Sequence, residues 1–512
     1  MLHRRFVREA AAVALAMMVG GSISAFAATA NSARITSLMS THPEVNVTVN
    51  TRSVLSTVPS TAVGINTAAW DAQLTNPAVP SLMRRAGIKI MRYPGGLFAD
   101  GYDWKTNTEL AASPSKEWRP ATDFKSFMSV VDQSGAQAMI TVNYGSNFTY
   151  TGGGTPANAA AWVKYANVTH HYNIKYWEIG NEVYGNGTYK TKWETDLHKH
   201  LGPTVYGKNA LAFIMAMKKV DPKIKVGVVL TAPGNWPFGA TPDWNSGVLS
   251  QVGKAANFVD VHWYAQAPGH ESDSELLAST NTIPYMVSTL RKEINQYCGS
   301  NAKHVKIMVT ETNSVYSAPG KQTVSLVNAL FLANDYMTWL DNGAANIDWW
   351  DLHNGEMLGT NHSSSLYGTA QYGDYGVLSY GNTQNGISEP PLNAPFPTFY
   401  GLQMLTHIVS PGARLVRAVS NQSMVQVYAA RRAGGKLAVL IINDSPHNSY
   451  NVHVNVAGEQ SHVNSATVYT YGENSMSITS AKSSMHGTAF RQTVAPYSLT
   501  TVVLVPTGHQ GK

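Results

Sequence analysis

Two glutamates stand at the ends of apolar, strand-like runs that are far apart in the chain. The segment Tyr176–Glu182 reads Tyr-Trp-Glu-Ile-Gly-Asn-Glu, and Lys306–Glu311 reads Lys-Ile-Met-Val-Thr-Glu. Cleaving an acetal with retention of configuration needs one carboxylic acid to protonate the leaving oxygen and one carboxylate to attack the sugar carbon, about 5–5.5 Å apart. Strand ends of a closed barrel can supply that spacing. The pair predicts a glycosidase with Glu182 as general acid and base and Glu311 as nucleophile.

Each acid also has a structural interpretation. Glu182 follows Asn181 directly after its run, where an exposed loop acid or a helix N-terminal acid is also found. For Glu311 the alternative is a buried acid paired with a cation. Glu178 lies inside the first run, where an acid more often forms an internal ion pair than carries chemistry. We therefore predict a structural role for Glu178.

An arginine follows a third apolar run, in Met91-Arg92-Tyr93-Pro94-Gly95-Gly96. Its fixed charge and bidentate donors could keep Glu311 ionised. A structural ion pair with Glu178 or Asp103 explains Arg92 equally well. The two interpretations stay open at this point.

Other polar side chains stand at predicted strand ends and could contact a sugar. His262 and Tyr264, in Val261-His262-Trp263-Tyr264, have the same parity and so point the same way. Tyr264 could donate a hydrogen bond to Glu311, and His262 could bind a sugar hydroxyl or be a hydrogen-bonded core residue. Asn143 is a weaker candidate for the same kind of contact.

Tryptophans at or beyond strand ends could stack on sugar rings, although each could equally be core packing. They are Trp70, Trp104, Trp236, Trp349 and Trp350. No metal site is predicted, because His170-His171 and His198-x-His200 lack zinc-protease spacing and no acidic cluster resembles a calcium loop. No cofactor is predicted either.

From Thr61 to about Val409, short β-branched runs alternate with helix-period stretches, which favours βα units and a parallel sheet. Eight strands are predicted: 62–66, 88–93, 138–143, 174–179, 224–230, 258–264, 305–310 and 346–350. The predicted helices are 80–86, 123–134, 157–170, 209–220, 284–297, 323–341 and 397–408. Eight such strands form a closed (β/α)8 barrel, the TIM barrel, over residues 61–410.

After Pro411-Gly412 the pattern changes to short alternating strands, at 424–430, 437–443, 452–456, 466–471 and 500–505. Helix signals are absent there, so residues 411–512 are predicted to form an all-β sandwich. The run 45–54 also reads as a strand. We predict that an N-terminal extension, residues 28–60, joins this sandwich.

The first residues carry a basic start, an apolar stretch from Ala10 to Val19, and small residues ending at Ala27. This pattern is typical of a signal peptide over residues 1–27, and predicts export to the periplasm or the extracellular space. No later run is long enough to predict a membrane span. The net charge is +6, but Lys and Arg are scattered, so nucleic acid is not a predicted partner.

These motifs resemble those of the clan A glycoside hydrolases, and most of all family 51, the α-L-arabinofuranosidases. The resemblance rests on residues 91–96 running on to Gly101-Tyr102-Asp103-Trp104, on residues 177–182, and on the trailing sandwich. It implies that Glu182 is the acid and base, Asn181 the partner of the sugar 2-hydroxyl, and Glu311 the nucleophile. It further implies that Tyr264 and Arg92 are the neighbours of the nucleophile.

The predicted function is an exported retaining glycosidase that acts on polysaccharide or oligosaccharide, with an α-L-arabinofuranosidase-like activity. The related families 39, 30 and 79 share the catalytic pair, so β-xylosidase, β-glucosidase or endoglucanase, and β-glucuronidase activities stay open. A carbohydrate-binding protein on an inactive barrel is the rival from another class. A metal-dependent hydrolase is a third option. Candidate substrate-binding residues are Asn181, Arg92, Tyr264, His262, Asn143 and Trp350.

Overall fold

The computed structural model describes residues 42–110, 117–234, 243–358, 371–458, 463–487 and 489–506. The predicted signal peptide, residues 1–27, and Trp236 lie outside these ranges. In the part of the chain that is described, no helix is both long and apolar enough to cross a membrane.

Eight parallel strands close into a barrel in which each strand pairs with its neighbours in sequence order. We number them barrel strands one to eight: Val63–Asn66, Ile90–Tyr93, Gln137–Val142, Tyr176–Ile179, Lys225–Val229, Phe258–Gln266, Lys306–Val315 and Asn346–Trp349. The last strand closes the ring on the first through Ile347 and Val63. Most of these strand residues are buried, as expected for strands covered on both faces. All eight predicted strands, and the predicted barrel, are confirmed.

Helices cover the outside of the barrel. The α-helices are Val79–Ala86, Phe124–Ser134, Pro156–Val163, Pro203–Val220, Trp244–Val252, Asp273–Ser279, Ile283–Tyr297, Leu326–Asp341 and Pro397–Leu405. A π-helical segment, Lys164–Thr169, continues the third of them, and short 3-10 segments lie at Gly96–Gly101, Val183–Gly185, Thr280–Thr282, Gly299–Asn301 and Ala433–Gly435. The helices begin at capping side chains in several places; Asp123, for example, accepts a hydrogen bond from the Ser126 amide at 2.7 Å.

Two of these helices were not predicted, Trp244–Val252 and Asp273–Ser279. The first contains Gly247, a residue that disfavours helix. The fold needs a glycine there, because a Cβ on Gly247 would lie 2.7 Å from Cβ of Pro203 on the neighbouring helix. Close helix packing therefore outweighs the local preference of this sequence.

Barrel strand seven is longer than predicted and contains an irregularity. Val261 on strand six pairs with Val309, but the next residue, His262, pairs with Glu311, so Thr310 is an extra residue. An extra residue changes which side chains face inward. The prediction that Glu311 ends this strand is wrong, because four more residues follow it to Val315.

A nine-stranded, mostly antiparallel sheet forms the second part of the fold. Its strands are Glu44–Thr57, Arg414–Ser420, Val425–Arg431, Leu437–Asn443, Tyr450–Ala457, Val463–Gly472, Thr479–Gly487, Ala489–Val494 and Ser498–Pro506. The N-terminal strand, Glu44–Thr57, lies between Arg414–Ser420 and Tyr450–Ala457. Alternate residues of this strand, Val45, Val47 and Val49, are buried in a core to which most strands of the sheet contribute. The predicted all-β sandwich is confirmed as a fold class.

Three strands of this sheet were not predicted: Arg414–Ser420, Thr479–Gly487 and Ala489–Val494. Thr479–Gly487 reads Thr-Ser-Ala-Lys-Ser-Ser-Met-His-Gly, with almost no apolar alternation. It pairs along one edge only, with Val463–Gly472. Smaller pairings join Tyr102–Asp103, Thr108–Leu110 and Glu117–Trp118, and also Thr383–Gln384 with Ile387–Ser388.

Polar contacts join the barrel to the sheet at helix Leu326–Asp341. The hydroxyl group of Tyr428, on strand Val425–Arg431, lies 2.7 Å from Oγ1 of Thr338 and also donates to the side chain of Asn334. Tyr428 is 9% exposed, so these partners are largely shielded from water. Removing the hydroxyl would leave buried polar groups unpaired, which destabilises a protein.

We expect Tyr428→Phe to lower the free energy of unfolding by about 1 kcal/mol, the net value of a hydrogen bond in this setting. Urea unfolding followed by tryptophan fluorescence measures the change. Tyr285→Phe is the matched control, because Tyr285 is 61% exposed on a barrel helix and should leave stability unchanged. Equal effects of the two substitutions would show that the contact does not stabilise the junction.

Candidate active site

One cavity lies at the carboxyl ends of the barrel strands. Its volume is about 350 Å³, near the lower end of the range of about 300–1,000 Å³ for small-molecule pockets. It contains five of the predicted site residues, Glu182, Glu311, Asn181, Tyr264 and Trp350. The described residues that complete its lining are Gly96, Leu97, Thr191, Trp193, Glu194, Tyr316 and Ser317.

The two glutamates meet in this cavity. One carboxylate oxygen from Glu182, one from Glu311 and a ring nitrogen of His262 all lie within 4.8 Å of one another. Nδ1 of His262 stands 2.9 Å from Oε1 of Glu182 and 3.4 Å from Oε2 of Glu311. The structure therefore brings both predicted catalytic residues to one point.

Glu182 is held just beyond the end of barrel strand four by a turn. Its φ of 34° is in the left-handed region, which a residue with a side chain rarely adopts, and Gly180 before it has φ 75°. Its Oε2 accepts a 2.6 Å hydrogen bond from the indole N–H of Trp193. Burial raises the pKa of Glu182, but the hydrogen bonds from His262, Trp193 and Tyr184 outweigh it and lower the pKa below its usual value.

Glu311 receives a donor on each carboxylate oxygen. The hydroxyl group of Tyr264 donates to Oε2 at 2.8 Å, and Nη1 of Arg92 donates to Oε1 at 2.7 Å. Tyr264 thus makes the contact that the sequence predicts. Because both oxygens are held, the carboxylate has one orientation in the cavity.

Arg92 is fully buried and contacts both Glu311 and Glu178, the acids named in its two interpretations. Its Nε donates to Glu178 at 2.6 Å, while Nη1 serves both Glu311 and Asn66. Its Nη2 donates to Oδ1 of Asn181 at 2.8 Å. The other suggested ion-pair partner, Asp103, is wrong, since its carboxylate accepts from Lys105 and Thr106 instead.

Glu178 is the buried partner of Arg92, as its place within the strand predicts. Burial raises its pKa, but the charge of Arg92 and hydrogen bonds from Asp260 and Thr141 lower it to about 2. Burial and the charge of Glu178 raise the pKa of Asp260 well above its usual range, which favours the protonated form of Asp260 beside the Glu178 carboxylate.

His262 differs from the sugar-binding role considered for it. Both ring nitrogens have protein partners, because Nδ1 faces Glu182 and Nε2 lies 3.1 Å from Oγ1 of Thr310. Burial lowers its pKa, but the charges of Glu311 and Glu182 and the hydrogen bond to Glu182 raise it overall. His262 therefore links the two glutamates from behind the sugar cavity.

Asn143 is not brought into the cavity. Its Nδ2 donates to the Tyr102 carbonyl and to Ser146, and its Oδ1 accepts from the Ser146 amide at 2.9 Å. These bonds hold the loop that follows barrel strand three. The candidate sugar contact of Asn143 is therefore replaced by a structural one.

Trp350 forms one wall of the cavity. Its ring packs over Gly96, where a Cβ would lie 3.0 Å from Cη2 of the indole, and it stands 6.3 Å from Trp70. Gly96 therefore allows backbone to approach this tryptophan. Trp349 is buried and Trp104 stacks on Trp162, so these two serve the core.

The sequence did not identify the residues of one loop that reaches the cavity, residues 185–196. Backbone N–H groups of Trp193 and Glu194 both donate to the Gly185 carbonyl, at 3.0 and 3.1 Å. A Cβ on Gly185 would lie 2.3 Å from the indole of Trp193, so a glycine is needed where the loop closes. Gly185, three residues after Glu182, is the one sequence signal for this arrangement.

We expect Glu178→Gln to lower the free energy of unfolding by about 3 kcal/mol at pH 7, because Arg92 would lose a buried charge partner. The folded pKa of about 2 lies below the unfolded value of 4.5. The Glu178 carboxylate therefore makes its full contribution to the free energy of unfolding above about pH 4.5. That contribution falls as the pH drops from there towards 2.

Urea unfolding at a series of pH values from 7 to 3.5 measures both effects. The difference in the free energy of unfolding between wild type and Glu178→Gln should become smaller as the pH falls. Glu275→Gln, at an exposed position, is the control, and its free energy of unfolding should equal that of wild type at every pH. A gap that is independent of pH would contradict the low pKa of Glu178.

Comparisons with known proteins agree with this arrangement. Residues 114–340 match the family described as "Glycosyl hydrolase family 79, N-terminal domain". The chain is 28% identical over 169 residues to the probable alpha-L-arabinofuranosidase C of Aspergillus fumigatus, covering 28% of this chain and 30% of that protein. It is 26% identical over 217 residues to the intracellular exo-alpha-(1->5)-L-arabinofuranosidase of Halalkalibacterium halodurans, covering 38% and 40%. The matches thus span well under half of these relatives.

The fold matches more completely than the sequence. The crystal structure of the alpha-L-arabinofuranosidase of Thermotoga maritima, in its arabinose complex, aligns with a TM-score of 0.70 at 19% identity, covering 90% of this chain and all of that one. At this identity the likeness concerns the fold. The resemblance predicted from the motifs is confirmed: the family match, the curated relatives and the fold together support a likeness to clan A of the glycoside hydrolases, with an architecture like that of family 51.

Proposed function

We propose that this chain hydrolyses glycosidic bonds with retention of configuration, using Glu311 as nucleophile and Glu182 as acid and base. The observation that carries this proposal is the approach of the two carboxylates within 4.8 Å in one cavity. Retaining glycosidases need about 5–5.5 Å between the carboxyl groups, whereas inverting ones need about 6.5–9.5 Å for an intervening water. The short separation favours direct attack by one carboxylate.

The reaction has two steps. In the first, Oε of Glu311 attacks the anomeric carbon, the bond to the leaving oxygen breaks, and a proton from Glu182 goes to that oxygen. In the second, Glu182 takes a proton from water, and the water oxygen attacks the anomeric carbon. The bond to Glu311 then breaks, which releases the sugar and restores the carboxylate.

The hydrogen bond between Glu182 and His262 supports the first step. The pKa of Glu182 is lowered and that of His262 is raised, which favours the ring as the site of a proton shared by the pair. Nδ1 and Oε1 are 2.9 Å apart, close enough for that proton to pass to Glu182. Glu182 and His262 together can therefore supply the proton that the leaving oxygen needs.

We propose a neutral sugar as the glycon, with α-L-arabinofuranosides first. Among the described residues that line the cavity there is no lysine or arginine, and three are glutamates, Glu182, Glu194 and Glu311. A sugar carboxylate would meet like charge there, which disfavours binding. The named activities of the two arabinofuranosidase relatives support this choice over the β-glucuronides of family 79. Xylosides and glucosides, also neutral, are the second choice.

We also propose that the protein acts outside the cytoplasm on polysaccharide or oligosaccharide, on the strength of the signal-like residues 1–27. The rival function, carbohydrate binding without catalysis, is disfavoured because an intact carboxylate pair is costly to keep in a buried site that performs no chemistry.

For aryl α-L-arabinofuranosides, we expect NMR to show that the first-formed sugar keeps the anomeric configuration of the substrate. Glu311→Ala should abolish turnover. Glu182→Ala should lower kcat by about 10²–10⁴-fold on poor leaving groups, because general acid catalysis contributes about that much. An activated 2-deoxy-2-fluoro glycoside should add one glycosyl mass to wild type and none to Glu311→Ala.

Glu275→Ala, on an exposed helix position, is the control and should match wild type. Inversion of configuration would reject the two-step mechanism. If wild type matched both active-site variants on every substrate, including xylosides, glucosides and polysaccharides, the binding function would be preferred.

A further inference from the structure

A third carboxyl group reaches the cavity from the loop of residues 185–196. Glu194 lines the cavity together with Glu182 and Glu311, yet it is only 2% exposed. Its backbone is fixed by the bond from its amide to the Gly185 carbonyl at 3.1 Å. Neither step of the proposed reaction uses it, so its burial beside two other acids needs an explanation.

One oxygen of Glu194 orients Asn181. Its Oε1 accepts a hydrogen bond from Nδ2 of Asn181 at 2.8 Å. On the other side, Oδ1 of Asn181 accepts from Arg92, which can only donate, so the amide cannot be reversed. An amide nitrogen has two hydrogens, and Glu194 takes one of them. The second N–H is left for a ligand.

The other oxygen of Glu194 is buried and has no hydrogen-bond partner in the described part of the chain. Buried polar atoms in proteins are nearly always paired, and each exception calls for a ligand, a water or a special role. Glu194 is one of the residues that line the cavity, and a sugar bound there would bring hydroxyl groups to this side chain.

The charges around Glu194 determine which form it takes. Burial, and the nearby acids Asp100, Glu182 and Glu311, raise its pKa well above the usual range, against the lowering effect of the bond from Asn181. This rise in the pKa favours the neutral, protonated form of Glu194. Since Oε1 accepts from Asn181, the proton lies on Oε2, which makes this oxygen a donor.

We propose that Glu194 is a specificity-determining residue of the sugar site: its Oε2–H donates to a hydroxyl oxygen of the glycon, while its Oε1 holds the amide of Asn181. This role rests on the proposed function, because it concerns the same sugar. It gives the site one donor that recognises a neutral hydroxyl group and cannot serve a cation.

A neutral acid and a glutamine present the same pattern, one acceptor oxygen and one donor. Glu194→Gln should therefore keep kcat/KM on an aryl arabinofuranoside within about threefold of wild type, whereas the apolar Glu194→Met should lower it by about tenfold or more. Glu473→Met makes the same change in an exposed turn, directly after strand Val463–Gly472, and should have no effect. Thermal unfolding checks that every variant is folded.

The pH profile separates this role from a charged one. If Glu194 is neutral, Glu194→Gln changes no charge near Glu182, and the alkaline limb of kcat/KM stays where wild type has it. If Glu194 were a carboxylate, the glutamine would remove a negative charge, lower the pKa of Glu182 and move that limb to lower pH. Such a movement, or a loss in Glu194→Gln as large as in Glu194→Met, overturns the proposal.

Monodeoxy glycosides test the contact itself. Removing one particular hydroxyl group of the sugar should lower kcat/KM about tenfold or more in wild type and in Glu194→Gln. The same removal should change kcat/KM little in Glu194→Met, because the partner of that hydroxyl group is already gone. Equal losses in all three proteins at every hydroxyl overturn the contact while leaving the proposed function intact. If wild type hydrolyses none of the parent glycosides, arabinoside, xyloside or glucoside, the proposed function fails and the role of Glu194 fails with it.

Discussion

The position of Glu311, and that of Asn181 beside Glu182, depends on one buried cation. The guanidinium of Arg92 contacts Asn66 of barrel strand one, Glu178 of strand four and Glu311 of strand seven, and also Asn181. A buried guanidinium strongly destabilises a fold unless its donors are paired and its charge is balanced. The acceptors must therefore converge on one point. The requirement that keeps the barrel stable also fixes where the nucleophile candidate stands.

A local irregularity completes that arrangement. Without the extra residue at Thr310, Glu311 would pair with Trp263, whose ring packs outward against Phe331 and Trp339 of a covering helix. With the extra residue, Glu311 pairs with His262 and faces the cavity. Such irregularities are frequent beside active sites because they redirect a side chain without moving the strand.

Much of this could be predicted from the sequence, because its signals are local. Buried parallel strands appear as continuous apolar runs, and a polar residue just after such a run must lie at the barrel mouth. That is why Glu182, Glu311 and Tyr264 could be placed together. Asn143 satisfied the same rule, yet its amide is used by the turn that follows it. The rule gives the position of a side chain and says nothing of competing partners nearby.

Trp193 and Glu194 could not be predicted in this way, because neither follows an apolar, strand-like run. Their approach to Glu182 and Asn181 depends on a loop that folds back on the Gly185 carbonyl and on a tryptophan ring that fits only above a glycine. Polar strands at the edge of the sheet, such as Thr479–Gly487, were missed for a related reason. Their pairing is decided by a neighbouring strand rather than by their own alternation.

The acids around the cavity have a shared electrostatic consequence. Burial and nearby acids raise the pKa of Asp260 and that of Glu194 well above their usual range, and burial raises the pKa of Asp100 to about 8. Three acids, Glu182, Glu194 and Glu311, thus line the cavity, and Arg92 lies buried with its guanidinium on Glu311. Glycoside cleavage passes through a transition state resembling an oxocarbenium ion, which such a field stabilises. Under the proposed function, the same field would repel an anionic sugar, so the charge distribution that favours the reaction would also restrict the glycon that can undergo it.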